Sequence, residues 1–256
     1  MPNLEAARSS ARAFSMGVLT MSMLAGVNVH QRLVAPDAQR AVFQRWMHHW
    51  ASALIHLFGV RPHWAGIDVP TTQTARLVVS NHRSPLDILL LLHRFGGVVL
   101  SRADLAEWPL IGPAAQRAET IFVDRKSAVS GMIAIRALRD RLINHHTVIV
   151  FPEGTTPVGD EVLPFQPGAF AAAHGLPVEI VPVGIAYPPG SEFVEDTFGE
   201  HMARMARRKR TAVSCVIGSP RPMPASRKGV AESLREEVQA LVHQARAQLD
   251  QSAARA

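Results

Sequence analysis

The stretch RLVVSNHRSPLDILLLLHRF, residues 76–95, decides how the rest of the chain is read. RLVVS (76–80) is a short β-branched run that suits a strand buried on both faces. Ser84 followed by Pro85 is a helix start. Serine supplies an N-cap oxygen, and proline at the first helical position lacks only an N–H that would be unpaired there anyway. Asp87 falls at the third helical position, where a carboxylate caps free amides and meets the positive end of the helix dipole. DILLLLHRF then continues as helix. Capping accounts for Ser84, Pro85 and Asp87 but not for Asn81 and His82. Those two lie at the carboxyl end of the strand, the edge at which open α/β sheets bind ligands. On a continuous helix His82 and Asp87 would point about 140° apart. His82 precedes the helix, however, and a loop folding back over the first turn brings its ring to Asp87. A carboxylate accepting from one ring nitrogen leaves the other as a base, suited to taking a proton from a substrate hydroxyl. On these residues alone, a catalytic pair and a plain helix start both stand.

Downstream, GGVVL (96–100), TIFV (120–123), HTVIVF (146–151), VEIVPVGIAY (178–187) and TAVSCVIG (211–218) repeat the strand texture. SAVSGMIAIRALRDRLI and AESLREEVQALVHQARAQLD repeat the helical one. The alternation predicts an α/β domain over residues 69–256, with a mixed, largely parallel sheet flanked by helices. Upstream the texture differs. AFSMGVLTMSMLAGVNV (13–29) is uncharged and follows Arg8 and Arg12. Its Ser, Thr, Gly and Asn make it marginal for a span, which needs about 20 apolar residues. In DAQRAVFQRWMHHWASALIHLFGV, Phe43, Trp46, Met47, Trp50, Leu54, Leu57 and Phe58 recur at helical spacing, with basic residues elsewhere. Residues 1–68 are therefore expected to be membrane-associated helices, the second with its tryptophans at a headgroup boundary. A true span or a signal peptide at 13–29, and an ordinary core-packing helix after it, are the alternatives.

The net charge of +6 favours a polyanionic surface. HMARMARRKR (201–210) is the strongest basic run, and it lacks the aromatic platform of a nucleic-acid site. Anionic headgroups or an acidic carrier protein fit it better. Cys215 is the sole cysteine, which excludes an internal disulfide and favours a reducing, cytosol-facing location; within its strand it reads as a core thiol. The adjacent histidines at 48–49 and 145–146 point apart and are joined by no Cys or carboxylate cluster, so no metal is expected.

Two further stretches carry candidate groups. In IVFPEGTTPVGD (149–160) a strand ends in Glu153-Gly154-Thr155, where glycine permits a tight path and hydroxyls and amides become available; an ordinary turn reads as well. In ETIFVDR, Arg125 can hold a phosphate or carboxylate bidentately, or pair with Asp124 on the surface.

NHRSPLD, ETIFVDR, FPEGTT and LPVEIVPVGIAY, in this order, resemble the four blocks of the glycerolipid acyltransferase family, which includes 1-acylglycerol-3-phosphate acyltransferase. The resemblance covers about residues 70 to 220, and SRADLAEWPLIG (101–112) and LPFQPGAF (163–170) extend it. It implies a membrane-associated O-acyltransferase using His82 as base and Asp87 to orient it, without a covalent intermediate. Helix amides near Ser84 to Asp87 would help hold the oxyanion. Glu153, Gly154 and Thr155 would shape the acceptor site, and Arg125 and Arg102 would bind its anionic headgroup. The co-substrate would be acyl-coenzyme A or acyl-carrier protein, with no other cofactor, no metal and no nucleic-acid partner. The implied location is the cytoplasmic face of the inner or plasma membrane, peripheral or single-span. The first acceptor implied is 1-acylglycerol-3-phosphate, giving phosphatidic acid. Thr156 stands where the family often has arginine, so a lyso-ornithine lipid or another lysophospholipid is the alternative. A non-catalytic lipid-binding protein is the alternative from another class.

Overall fold

Two helices lead the chain, α1 (Pro2–Arg32) and α2 (Gln39–Leu57). The computed structural model describes residues 2–70, 74–108, 111–124, 126–194 and 197–254. Next come β1 (Val60–Gly66), β2 (Ala75–Ser80), α3 (Leu86–Phe95), β3 (Val98–Arg102), α4 (Ile111–Arg117) and β4 (Ile121–Val123). After these follow α5 (Ala128–Ile143), β5 (Thr147–Val150), α6 (Gly168–Ala173) and β6 (Val178–Ala186). The chain closes with α7 (Phe198–Arg207), β7 (Thr211–Ile217), β8 (Arg221–Pro222) and α8 (Val230–Ala254). The strands form one sheet ordered β1-β7-β6-β2-β5-β3-β4, with β8 against β6. Every pairing is parallel except those of β6 with β7 and with β8. This is the mixed, largely parallel, helix-flanked sheet that the alternating texture predicts.

The central strands are buried on both faces, which is why their sequences run apolar without alternation. Val78, Ile149, Val183 and Ile185 pack on one face with residues of α1, α2, α3 and α7. Leu77, Val79, Val148 and Val150 pack on the other with α5, α6 and α8. Local chemistry sets the helix ends. Ser127 Oγ accepts the Ser130 N–H to start α5, and Thr197 and Glu200 cap α7 reciprocally. After α3 the chain turns through Gly97, whose φ of +89° and approach to Thr147, 2.3 Å from a built Cβ to the carbonyl oxygen, leave room for no side chain.

One segment differs from the sequence reading. Residues 60–66, assigned there to the tail of a helical segment ending at 68, form β1 and pair with β7 from Val60↔Thr211 to Gly66↔Ile217. β1 is an edge strand, and its Pro62 is tolerated there because one row of amides needs no partner. The basic run at 201–210 begins within α7, whose inner face buries His201, Met202, Met205 and Ala206.

Among the described residues, α1 is the one helix long and apolar enough to cross a membrane by length and composition. It lies along the body of the protein. Near its start, Arg12 donates to the carbonyls of Ala206 and Arg208, and Arg8 to that of Arg207, capping the end of α7. In its second half Thr20 accepts from Trp50, and near its end Gln31 donates to the Gln39 carbonyl. Its outward stripe, Leu4, Phe14, Val18, Met21 and Val29, is exposed.

Candidate active site

Strand β2 ends at Ser80, and the next residues are held from both sides. Asn81 continues the ladder with its side chain: Nδ2 donates to the Ile185 carbonyl and Oδ1 accepts the Ile185 N–H, both at 2.8 Å. The His82 N–H donates to Glu153 Oε1 at 2.7 Å. The loop then folds back over the first turn of α3, and His82 Nδ1 meets Asp87 Oδ2 at 2.9 Å. The imidazole stacks on Phe151, with centroids 4.1 Å apart and planes 19° from parallel.

Asp87 is fully buried and has four partners among the described residues. Besides the imidazole, Oδ2 accepts the N–H groups of Arg83 at 2.6 Å and Ser84 at 2.9 Å. Oδ1 accepts the Tyr187 hydroxyl at 2.7 Å. Burial first, and the Asp87 charge second, push the Tyr187 phenol well above its ordinary range, so it remains a donor. An acceptor-only carboxylate puts the imidazole hydrogen on Nδ1 and leaves a lone pair on Nε2.

The helix start differs in detail from the expectation. α3 begins at Leu86 with Pro85 just before it, and Ser84 Oγ reaches the Leu86 N–H at 3.3 Å. The amides of Arg83, Ser84, Leu86 and Asp87 all have acceptors within the turn. They are therefore not free to hold an oxyanion, as the sequence reading expected of this turn. Among the described residues, the amides of Thr155 and Thr156 have no internal acceptor.

Glu153 lies beneath the loop. Its Oε1 accepts from His82 N and from Arg83 Nη1 at 2.9 Å, and its Oε2 from Leu163 N at 2.9 Å. Arg83 is only 2% exposed and also donates to the carbonyls of Gly159, His82 and Glu161. Gly154, with φ of +75°, turns the chain so that Thr155 lines a cavity. Thr156 Oγ1 donates to the Phe193 carbonyl at 2.6 Å, which latches the loop after β6 over the site. Arg102 also lines the cavity, exposed and bidentate with Asp104 at 3.0 and 2.9 Å. Arg125 lies outside the described residues.

The cavity has a volume of about 760 Å³. His82 and Phe151 form part of its wall, with Leu86 and Leu89 of α3, Val99 of β3, Trp50 and Leu54 of α2, and Met16 and Met23 of α1. Its described ionisable lining is His82, Arg102 and Asp104. The arrangement can take a proton at His82 Nε2 beside a largely apolar chamber.

The roles of Arg83, Tyr187, Phe151 and Asn81 at the site escaped the sequence reading, although all four lie in the quoted blocks. One signal was available. Tyr187 is the chain's only tyrosine and closes VEIVPVGIAY, a strand candidate whose carboxyl end belongs at the ligand-binding edge.

The family model described as Acyltransferase matches residues 61–186. A lyso-ornithine lipid O-acyltransferase of Pseudomonas aeruginosa is 30% identical over 231 residues, 87% of this chain and 87% of that protein. A 1-acyl-sn-glycerol-3-phosphate acyltransferase of Neisseria meningitidis is 29% identical over 122 residues, 48% of each chain. The crystal structure of the 1-acyl-sn-glycerophosphate acyltransferase of Thermotoga maritima matches with a TM-score of 0.70, over 92% of this chain and 97% of its own. At 19% identity that likeness is one of fold.

Proposed function

The chain belongs to the acyltransferase family, and from that premise we propose that it moves a fatty acyl group from an acyl thioester to the hydroxyl of a lysolipid, a lyso-ornithine lipid foremost. The observation that carries the reaction is His82, backed at Nδ1 by buried Asp87 and bordering an apolar cavity. His82 Nε2 takes the acceptor's hydroxyl proton as its oxygen attacks the thioester carbonyl. Asp87 holds the ring and stabilises the imidazolium that forms. The Thr155 and Thr156 amides are the candidate donors to the oxyanion. As the intermediate collapses the C–S bond breaks and the proton passes from Nε2 to the leaving thiolate, so ester and free thiol result. Glu153 acts from below by fixing the His82 and Arg83 backbone, and the cavity between the sheet and α1–α3 takes the acyl chain.

The choice of acceptor rests on charge. An ornithine headgroup carries a carboxylate and an ammonium, which the Arg102–Asp104 pair can meet with one group each. A phosphate finds in the described lining only Arg102, already shared with Asp104. Thr156 cannot serve a phosphate bidentately, and its hydroxyl is engaged by Phe193. The likeness to the lyso-ornithine lipid enzyme over nearly nine-tenths of both chains supports the same choice. 1-Acylglycerol-3-phosphate is the second reading, favoured by the Neisseria relative and by Arg125.

The protein would sit on the bilayer surface rather than thread it. The contacts of α1 run from Arg8 to Gln31, about 36 Å of helix, more than the roughly 30 Å of hydrocarbon a span would have to cross. A threaded α1 would forfeit them. The exposed stripe from Leu4 to Val29 suits an interfacial helix, on the cytosolic side where thioester donors are found.

The test is acyl transfer by purified protein in lipid bilayers, wild type beside His82→Ala, with acyl-coenzyme A and acyl-carrier protein as donors. Lyso-ornithine lipid and 1-acylglycerol-3-phosphate are the acceptors. Turnover lost with His82 and faster on lyso-ornithine lipid supports both parts. A folded protein without turnover on any acceptor leaves a lipid-binding protein.

A further inference from the structure

We propose that Tyr187 is a positioning residue for this reaction: its hydroxyl sets the orientation and charge distribution of Asp87, and through Asp87 the basicity of His82. The proposal rests on the reading of His82 as the base.

The backbone around Tyr187 is anchored on both sides. Two residues earlier, Ile185 is held at both its N–H and its carbonyl by Asn81, from the segment that carries His82. The carbonyl of Tyr187 itself accepts from Arg246 at 2.7 Å, and Arg246 is tied bidentately to Asp160. The ring is 1% exposed, and the hydroxyl donates to Asp87 Oδ1. Phenylalanine would fill the same space without the cost of burying a hydroxyl, so the oxygen needs a reason to be there. Geometry supplies it. The two backbone amides and the imidazole all fall on Oδ2, and among the described residues Tyr187 alone engages Oδ1. The carboxylate plane is thus pinned at both oxygens. Tyr187 also draws negative charge toward Oδ1, and so sets how much remains at Oδ2 to stabilise the His82 imidazolium. Among the described residues, His82, Tyr187 and the buried Cys215 thiol are titratable groups around this carboxylate; the buried Glu153–Arg83 pair meets His82 from below, and His201 reaches Ser84 Oγ.

Removing the hydroxyl leaves more charge facing His82 and one carboxylate oxygen unpaired. Both effects favour a bound proton on the pair, so the acid limb of activity moves to higher pH. Tyr187→Phe in the full-length protein in bilayers is expected to lower kcat on the order of tenfold, with KM for donor and acceptor within about twofold. The acid limb of kcat/KM should rise. Because the chain has one tyrosine, growth on 3-fluorotyrosine alters position 187 alone. The more acidic phenol is a stronger donor of the same shape, and its acid limb should shift to lower pH. Opposite shifts in the two proteins support the proposal. A limb that stays put in both overturns it and leaves Tyr187 a packing role. If Tyr187→Phe does not fold, the fluorotyrosine protein decides alone. With His82→Ala inactive, unmoved limbs sink only this proposal. Full turnover by His82→Ala sinks the base assignment and this proposal with it.

Discussion

Asp87 shows what one buried carboxylate can organise. Asp87→Asn puts an amide among groups that all donate, so one nitrogen must face a donor and the His82 tautomer is lost. Turnover is expected to fall on the order of 10³–10⁴-fold with lysolipid binding retained, read by single-turnover assay beside vesicle binding. The second buried pair, Arg83 with Glu153, has side chains 2% and 0% exposed. Glu153→Ala strands the Arg83 charge and should cost about 3–5 kcal/mol in urea denaturation, whereas Glu153→Gln keeps an acceptor and should cost less. At this scale the sequence exposes only what is local. His82 and Asp87 are five residues apart and carry their relation in their spacing. Arg83 and Glu153 stand 70 apart, and Tyr187 and Asp87 100 apart. Such pairs exist only once the strands are registered. Arg83 adjoins the base in sequence, yet its guanidinium works inward, on Glu153 and three loop carbonyls.

Elements were legible where hydrophobic texture or capping marked them. β2, β5 and β6 declare themselves as apolar runs, because a parallel central strand has no solvent face. β1 does not, since VRPHWAG is an edge strand with a proline and alternates poorly. α7 was visible only as a basic run, because its cap at Thr197 lies four residues ahead of the quoted segment. The join between β2 and β6 is the element-level feature most open to test. Asn81→Ala leaves the Ile185 N–H and carbonyl unpaired where no water reaches, at on the order of 1–3 kcal/mol for each group. A lowered denaturation midpoint together with loss of turnover is the expected result, since His82 is the next residue.

For the whole molecule, pH acts through His146. Burial first, then the charges of Arg40 and Arg141, hold its pKa down to about 4 from an ordinary 6.5. The unfolded chain binds that proton as pH falls through 6.5 and the folded chain does not until about 4. This contribution to stability is therefore intact above pH 6.5 and lost as pH drops toward 4. His146→Gln should flatten the fall in urea midpoint between about pH 7 and pH 5, the window in which an ordinary histidine charges. Membrane attachment belongs to the same scale. Phe14 and Met21 are exposed and touch no core, so Phe14→Asp with Met21→Asp should leave the fold intact and reduce flotation with anionic vesicles. The capping of α7 by α1 also has a consequence in time. Arg8 and Arg12 wait for carbonyls 194 to 199 residues further along. At about 5–20 residues per second a ribosome takes about 10–40 s to deliver them. For most of that interval α1 can have α2 beside it but no α7. With α1 attached to the bilayer surface as proposed, the order of synthesis lets attachment precede folding of the sheet.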